Sequence, residues 1–324
     1  MNVQTHTSSV AARTAARNAV TFDVEEWFHA GNLGIPRRSW NDFPSRLAEP
    51  ADRILSLLDR HGTRATFFVL GWVAKRCPRL VQRIQAAGHE IASHGYWHRS
   101  VDAQTPREFH EDVRSSRSTL EDLTGVPVLG FRAPNYSLNP QASWALDVLE
   151  ELGFAYDSSI YPARAPHARY GATGTPVRPY RIRPKLWEFP LPTLQLLRWR
   201  LPAATGGYLR ASPLAVTQLA LAQNLRHSIP VVVNVHPWEL DPDHPRWPAR
   251  WWKRALHYNN LHTTARKLDR LLATQRFGTL RELMVHCERA TETRACQREA
   301  ASNVDRLDES FTASRRCTVV SPVP

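Results

Sequence analysis

Short β-branched or aromatic runs alternate along this chain with longer amphipathic segments, and that alternation limits the folds open to it. Apolar runs occur at 19–24, 65–70, 90–93, 128–132, 154–157 and 231–236, and helical periodicity at 51–60, 78–87, 106–123, 140–152, 213–226 and 263–274. Helix starts are well marked. Thr105-Pro106-Arg107-Glu108 is a capping box with proline at the first helical position, and Asn139-Pro140 and Ser212-Pro213 repeat the cap-then-proline order. Such a rhythm predicts an α/β fold, a parallel sheet or barrel with helices outside and chemistry at the C-terminal ends of the strands.

The 324 residues suffice for one large domain. A single folded domain is expected over 19–285, with polar, disordered tails at 1–18 and 286–324. No run of about 18 apolar residues occurs. The longest candidate, 191–201, is interrupted by Pro192, Gln195, Arg198 and Arg200. Residues 1–18 carry Arg13 and Arg17 and no apolar segment of secretory type, so the expected location is cytoplasmic. Cys77, Cys287, Cys296 and Cys317 form no CxxC pair and are read as reduced bystanders.

The formal charge is +12, and the tails do not explain it. Between Tyr161 and Arg210 stand Arg164, Arg169, Arg178, Arg181, Arg183, Lys185, Arg198, Arg200 and Arg210, opposed only by Glu188. This stretch is expected to be a long elaborated loop region with short strands, and Gly206-Gly207 within it a tight turn. A second cluster, Arg246–Arg254, interleaves aromatic and basic side chains. Either field would attract an anionic polymer, an anionic membrane surface or nucleic acid. No nucleic-acid reading motif accompanies the charge, so a nucleic-acid partner is not expected.

Almost every predicted strand end bears a polar group suited to catalysis: Asp23 and Glu25, His94 and His98, Arg132, Asp157 and His236. The imidazoles of His94 and His98, four residues apart, can converge on one ion from a helical turn or a strand-to-loop bend, or can simply be surface or capping histidines. With a carboxylate they would form a His₂-carboxylate site with open positions, suited to zinc rather than calcium or magnesium. Asp23 and Glu25 point the same way on an extended chain, where one could ligate and the other act as general base. A capping or structural ion-pair role is the alternative.

The ordered set resembles the NodB-homology polysaccharide deacetylases, carbohydrate esterase family 4, over residues 19–285. The resemblance rests on Thr21-Phe22-Asp23-Val24-Glu25, Ser93-His94-Gly95-Tyr96-Trp97-His98, Gly130-Phe131-Arg132-Ala133-Pro134, Tyr156-Asp157-Ser158-Ser159 and Val233-Asn234-Val235-His236-Pro237-Trp238. The Asp-Val-Glu form, Gly206-Gly207-Tyr208-Leu209-Arg210, the His-Pro-Trp-Glu-Leu-Asp-Pro run and His257-Tyr258-Asn259-Asn260-Leu261 are similar to the subgroup encoded with exosortase (PEP-CTERM) exopolysaccharide systems.

This resemblance implies a distorted (β/α) barrel of about seven repeats and removal of N-acetyl groups from amino sugars of an exopolysaccharide or its lipid-linked precursor. It implies Asp23 as general base, His94 and His98 as ligands of a divalent metal, most simply Zn²⁺, and Arg132 as the partner of Asp23. His236 would be the general acid and Asp157 its supporting, tuning group. The first motif departs from the family's two adjacent aspartates, so Glu25 is the expected third ligand and Glu26 its rival. Pro134, Asn135, Tyr136 and Trp238 are the expected substrate contacts, with backbone amides near Asn135 and Tyr136 placed to stabilise an oxyanion. The basic loops are expected to give peripheral contact with the membrane or the exopolysaccharide machinery. The competing readings are a metal-independent amidohydrolase on the same fold and a glycan-binding protein without turnover.

Overall fold

The computed structural model describes residues 18–163 and 174–293. Strand β1 (Asn18–Val24) is buried along its length, and helix α1 (Ala48–Arg60) follows it. The chain continues through β2 (Thr66–Val69), α2 (Gly71–Arg76), α3 (Pro78–Ala86), β3 (Glu90–Ser93), α4 (Pro106–Thr124), β4 (Gly130–Phe131), α5 (Trp144–Glu151) and β5 (Tyr156–Asp157). Four short strands come next: β6 (Tyr180–Arg183), β7 (Leu186–Glu188), β8 (Thr193–Leu196) and β9 (Trp199–Pro202). Helices α6 (Gly206–Ala211) and α7 (Leu214–Arg226), strand β10 (Val232–Val235), helices α8 (Trp251–Tyr258) and α9 (Thr264–Thr274) and strand β11 (Phe277–Gly278) complete the series.

Seven strands run parallel in the order β10-β1-β2-β3-β4-β5-β7; β6 lies antiparallel on β7, and β11 pairs with the start of β1. Among the described residues no ladder joins the two ends of this order, so the expected barrel is an open half-barrel. Its curl can be read from one side chain. Parallel strands lie about 4.8 Å apart, so a flat sheet would put β4 roughly 14 Å from β1. Arg132, just after β4, nevertheless donates from Nη1 to Thr21 Oγ1 at 2.8 Å and to Asp23 Oδ1 at 2.9 Å, both on β1. The sheet must bend to bring them together. Alternation along β1 then sends Thr21 and Asp23 into the concave side while Phe22 stacks on Phe67 of β2 at 5.0 Å.

The helices form for legible reasons. In α1 the buried Ala51, Ile54, Leu57 and Leu58 recur at helical spacing. Helix α4 starts on the Thr105/Glu108 capping box with Pro106 at its first turn and stops at Gly125, whose φ of 68° is the left-handed conformation glycine adopts freely. Asn139 accepts from the amides of Gln141 and Ala142 as its position before a proline suggests. Ser212 does not cap: α7 starts on Pro213 without a side-chain cap. Gly206-Gly207 opens α6 rather than forming an isolated turn. The region 161–210 carries the expected short strands, but Arg164 and Arg169 lie outside the described residues, as do 1–17 and 294–324. Chain contacts divide between Leu283 and Met284; beyond that division 284–293 are helical.

A Cβ built at Gly130 of β4 would overlap the ring of Tyr156, which is fully buried and donates its hydroxyl to Glu90 at 2.9 Å. Gly130→Ala should therefore lower unfolding free energy by about 1–3 kcal/mol, the usual cost of overpacking. Equilibrium denaturation checks this, and an unchanged midpoint would show that Tyr156 can move aside.

Candidate active site

The carboxylate of Asp23 closes β1 and is almost fully buried, which would ordinarily favour the neutral acid. Arg132 reverses that preference. Burial raises the Asp23 pKa, but the guanidinium beside it, aided by His94 and His236, holds the carboxyl below its usual value. Asn234 of β10 donates from Nδ2 to the other oxygen at 2.9 Å. Arg132 is itself completely buried, a costly position unless every donor finds an acceptor. Its Nε and Nη2 reach Ser158 O and Ser158 Oγ at 2.9 Å, Nη1 also reaches Asn234 Oδ1 at 2.7 Å, and the guanidinium lies 4.1 Å from the Phe68 ring centre.

Beyond β3 the chain turns sharply, and the turn brings two histidines onto one point. Gly95 has φ 74° and sits against Asp112 of α4, whose carboxylate accepts from the amides of Tyr96 at 2.7 Å and Trp97 at 3.2 Å. His98 then takes a left-handed φ of 51°. The i, i+4 pair thus converges through a strand-to-loop bend. His94 directs Nδ1 at the carbonyl of Arg132 at 2.9 Å, leaving Nε2 as its free lone pair. Burial and the neighbouring His98 take the His94 pKa down to about 4, so its ring is neutral, as a metal ligand requires.

Glu25 completes the set. Ligand atoms of Glu25, His94 and His98 lie within 4.8 Å of one another. Glu25 Oε2 sits 2.6 Å from His98 Nε2, so the carboxylate and the imidazole form a close pair. The other oxygen accepts from Trp238 Nε1 at 3.0 Å, which fixes the carboxylate plane. Burial opposes ionisation of Glu25, but His98 outweighs it and keeps the carboxyl well below its usual range. Two imidazoles and a carboxylate, buried and convergent, fit a borderline divalent ion such as zinc. Glu26 turns away. Its carboxylate accepts from the amide of Arg46 at 3.1 Å, and burial raises its pKa.

His236 follows β10, with Nε2 3.5 Å from Asp23 Oδ2 and 3.8 Å from Glu25 Oε1. Its Nδ1 pairs with Glu239. Burial works against the imidazolium, but Glu239, followed by Glu25 and Asp23, takes the His236 pKa to about 9, so the ring is protonated at neutral pH. Glu239 is fully buried and held by Arg210 Nε at 2.8 Å. Arg210 also donates to the carbonyls of His257 at 2.7 Å and Asn259 at 2.8 Å, tying the site to the end of α8.

Several expected residues occupy other places than predicted. Asp157 is not a partner of His236. Burial raises its pKa, and it pairs with Glu188, whose pKa burial and Asp157 raise much further; the adjoining Ser158 and Ser159 hold Arg132 and the Ala133 amide. The residue that tunes His236 is Glu239, and its signal, an acid three positions after a histidine-proline pair, was present in the sequence. Trp238 is buried, stacked on His257 at 4.3 Å and bonded to Glu25, so it orients a ligand rather than presenting a face to sugar. The Tyr136 amide is engaged with Ala133 O at 3.1 Å, which removes it from the expected oxyanion donors, while the Tyr136 hydroxyl accepts from Asn234 at 2.6 Å at the edge of the Asp23 pocket. Pro134 is buried in the same turn, and Asn135 is exposed, with Nδ2 3.3 Å from Ser100 Oγ.

Replacing Glu239 by Gln removes the charge that sustains the His236 imidazolium. The His236 pKa, followed by NMR of its ring protons, should fall from about 9 toward the ordinary histidine value. An unchanged titration would mean that Asp23 and Glu25 suffice.

Residues 39–156 match the Polysaccharide deacetylase family, and residues 158–285 match a family described as Domain of unknown function (DUF3473). His94, His98 and Arg132 fall in the first match, while His236, Glu239 and Arg210 fall in the second. The chain is 34% identical over 110 residues to the peptidoglycan deacetylase-like protein FGM2 of Gibberella zeae, covering 33% of this chain and 32% of that protein. It is 31% identical over 142 residues to the peptidoglycan-N-acetylglucosamine deacetylase PgdA of Listeria monocytogenes, covering 44% of this chain and 25% of PgdA. The matched stretch thus spans a third or less of these relatives' lengths. A crystal structure from Mycobacterium smegmatis, provisionally named a polysaccharide deacetylase, shares the fold with a TM-score of 0.59 at 19% identity, covering 87% of this chain and 94% of that one. Residues 39–156 thus match the Polysaccharide deacetylase family, and the fold is shared with the Mycobacterium smegmatis structure.

Proposed function

We propose that the protein is a metal-dependent N-deacetylase acting on N-acetylated amino sugars of a polysaccharide. The observation that carries this reading is the juxtaposition of Asp23 paired with Arg132, His236 paired with Glu239 and the convergent Glu25, His94 and His98. Glu25, His94 and His98 would hold the ion, which when bound polarises a carbonyl and acidifies water. An acetamide needs both activation and a proton for its departing nitrogen. Asp23, kept anionic by Arg132, accepts the proton of the attacking water, and Asn234 and Arg132 fix the carboxylate for that transfer. His236, kept cationic by Glu239, delivers a proton to the amine nitrogen as the carbon–nitrogen bond breaks. The bond from Trp238 holds Glu25 in its ligating orientation.

The finer assignment follows the Asp-Val-Glu first motif, the Arg210-bearing motif and the His-Pro-Trp-Glu run: an exopolysaccharide or its lipid-linked precursor as substrate, in the exosortase-linked subgroup, at the cytoplasmic face of the membrane. These motifs support that reading because they build one connected unit, with Arg210 joining Glu239 to the carbonyls near His257 and Asn259.

Acetate release from N-acetylglucosamine, N-acetylgalactosamine and N-acetylmannosamine oligomers tests the activity. Zinc-reconstituted protein should release acetate, and chelation, His94→Ala or His98→Ala should abolish both metal retention and release. His236→Ala should keep the metal and lose about 10²–10⁴-fold in rate. Release that survives chelation would favour a metal-independent amidohydrolase. The rate should also fall as pH rises through about 9, because His236 loses its proton there. A rate still climbing above that pH would remove His236 from the role of acid.

A further inference from the structure

The β8–β9 hairpin stands outside the main sheet as a separate two-stranded ribbon. Its register pairs Leu194 with Leu201, Gln195 with Arg200 and Leu196 with Trp199. Because side chains alternate, Leu194, Leu196, Trp199 and Leu201 share one face and Gln195 and Arg200 the other. At its root this apolar face is anchored, with Leu194 packed on Ala203 and Ala220. Toward the tip it is uncovered: Leu196 is 54% exposed, Trp199 60% and Leu201 42%, while Leu197 in the turn is 90% exposed with a left-handed φ of 52°.

Helix α7 braces the ribbon. Gln223 accepts from the Gln195 amide at 2.7 Å and donates to its carbonyl at 3.0 Å, and Asn224 donates to Thr193 O at 2.9 Å. One turn before Gln223 on the same helical stripe, Leu219 is 55% exposed. An uncovered apolar tip on a braced ribbon marks an interaction site.

Charge identifies the partner. No Asp or Glu occurs between Glu188 and Glu239, a stretch that includes the hairpin, α6, α7 and β10. Arg198 lies over the Trp199 ring, 5.6 Å from its centre, and Arg200 meets Gln195 at 3.3 Å; neither has a carboxylate within ion-pair distance among the described residues. Leucine at the tip, tryptophan behind it, arginines beside it and no acid nearby match the layers of an anionic bilayer: hydrocarbon, interface and phosphate. A second copy of the chain fits poorly, since two-fold pairing of the apolar tip would bring the turn residue Arg198, which lies over Trp199, near its own equivalent with no acid between them. Insertion must also be shallow, because the outer edges of a two-stranded ribbon leave backbone groups that need water.

We propose that the β8–β9 hairpin is a membrane-docking element, seating Leu196, Leu197 and Trp199 in the interfacial layer of an anionic bilayer while Arg198 and Arg200 meet lipid phosphates. The inference does not depend on the catalytic chemistry. If that chemistry fails, the docking remains testable on its own.

Co-sedimentation of the full chain with phosphatidylcholine vesicles, with and without phosphatidylglycerol, tests it. Wild type should pellet with the phosphatidylglycerol vesicles and be released by salt. Leu197→Ser/Trp199→Ser and Arg198→Glu/Arg200→Glu should each weaken binding roughly tenfold or more, with unchanged circular dichroism. Trp251→Ser/Trp252→Ser in α8, where the two tryptophans are also exposed, should bind as wild type. Equal binding by the hairpin variants, loss confined to the α8 variant, or no binding by wild type would overturn the proposal. So would a wild-type dimer in light scattering that the Leu197/Trp199 variant dissolves without any vesicle binding.

Discussion

The completely buried guanidinium of Arg132 is the element on which the rest of the site depends. A cation with no exposed surface is tolerated only when anions and acceptors surround it, because its desolvation costs several kcal/mol. Its neighbours come from four strands: Thr21 and Asp23 from β1, Phe68 from β2, Ser158 after β5 and Asn234 from β10. Satisfying them at once requires a curled sheet, and the curl in turn creates the concave pocket. Arg132 therefore links fold and chemistry, since the charge that closes the half-barrel also keeps Asp23 ionised where burial alone would protonate it.

A second charge relay supports the opposite member of the pair. Arg210 on α6 holds Glu239, and Glu239 sustains the His236 imidazolium. Asp23 and His236, 3.5 Å apart, also stabilise each other's charged form, the carboxylate raising the imidazole pKa and the imidazolium lowering that of the acid. Burial, which opposes both charges, is what Arg132 and Glu239 offset. Without Arg132 the buried carboxylate would take up a proton, and without Glu239 burial would strip the imidazole of its own. Arg210, His236 and Glu239 all lie in the part of the chain matched to DUF3473, while Arg132 lies in the part matched to the Polysaccharide deacetylase family and reaches Ser158 and Asn234 of the other.

Much of this was legible in the sequence because it is local. Strand β3, the Thr105 capping box and the strand-end positions of Asp23, His94 and Arg132 follow from periodicity and from the rule that parallel strands present chemistry at their C-terminal ends. What escaped is non-local. Asp157 was expected beside His236, but a motif records order along the chain, whereas the pairing of Asp157 with Glu188 depends on which strands neighbour each other; the His236–Glu239 pair is local, three residues apart, and was within reach of the sequence. Trp238 was expected to contact substrate because it follows His236 closely; that its indole N–H lies on Glu25 depends on a contact 213 residues away and could not be read from the sequence. The interrupted apolar run at 191–201, too polar for a spanning helix, became an amphipathic hairpin once alternation was applied to its two strands.

In the proposed mechanism metal binding and proton transfer are divided between Glu25 and Asp23, two residues apart at one strand end. Metal content and acetate release measured on the same preparation of Asp23→Asn protein test that division most directly. The predicted result is metal bound as in wild type with release reduced by about 10²–10⁴-fold. Loss of the metal together with activity would show that Asp23 is itself a ligand and would contradict the assignment.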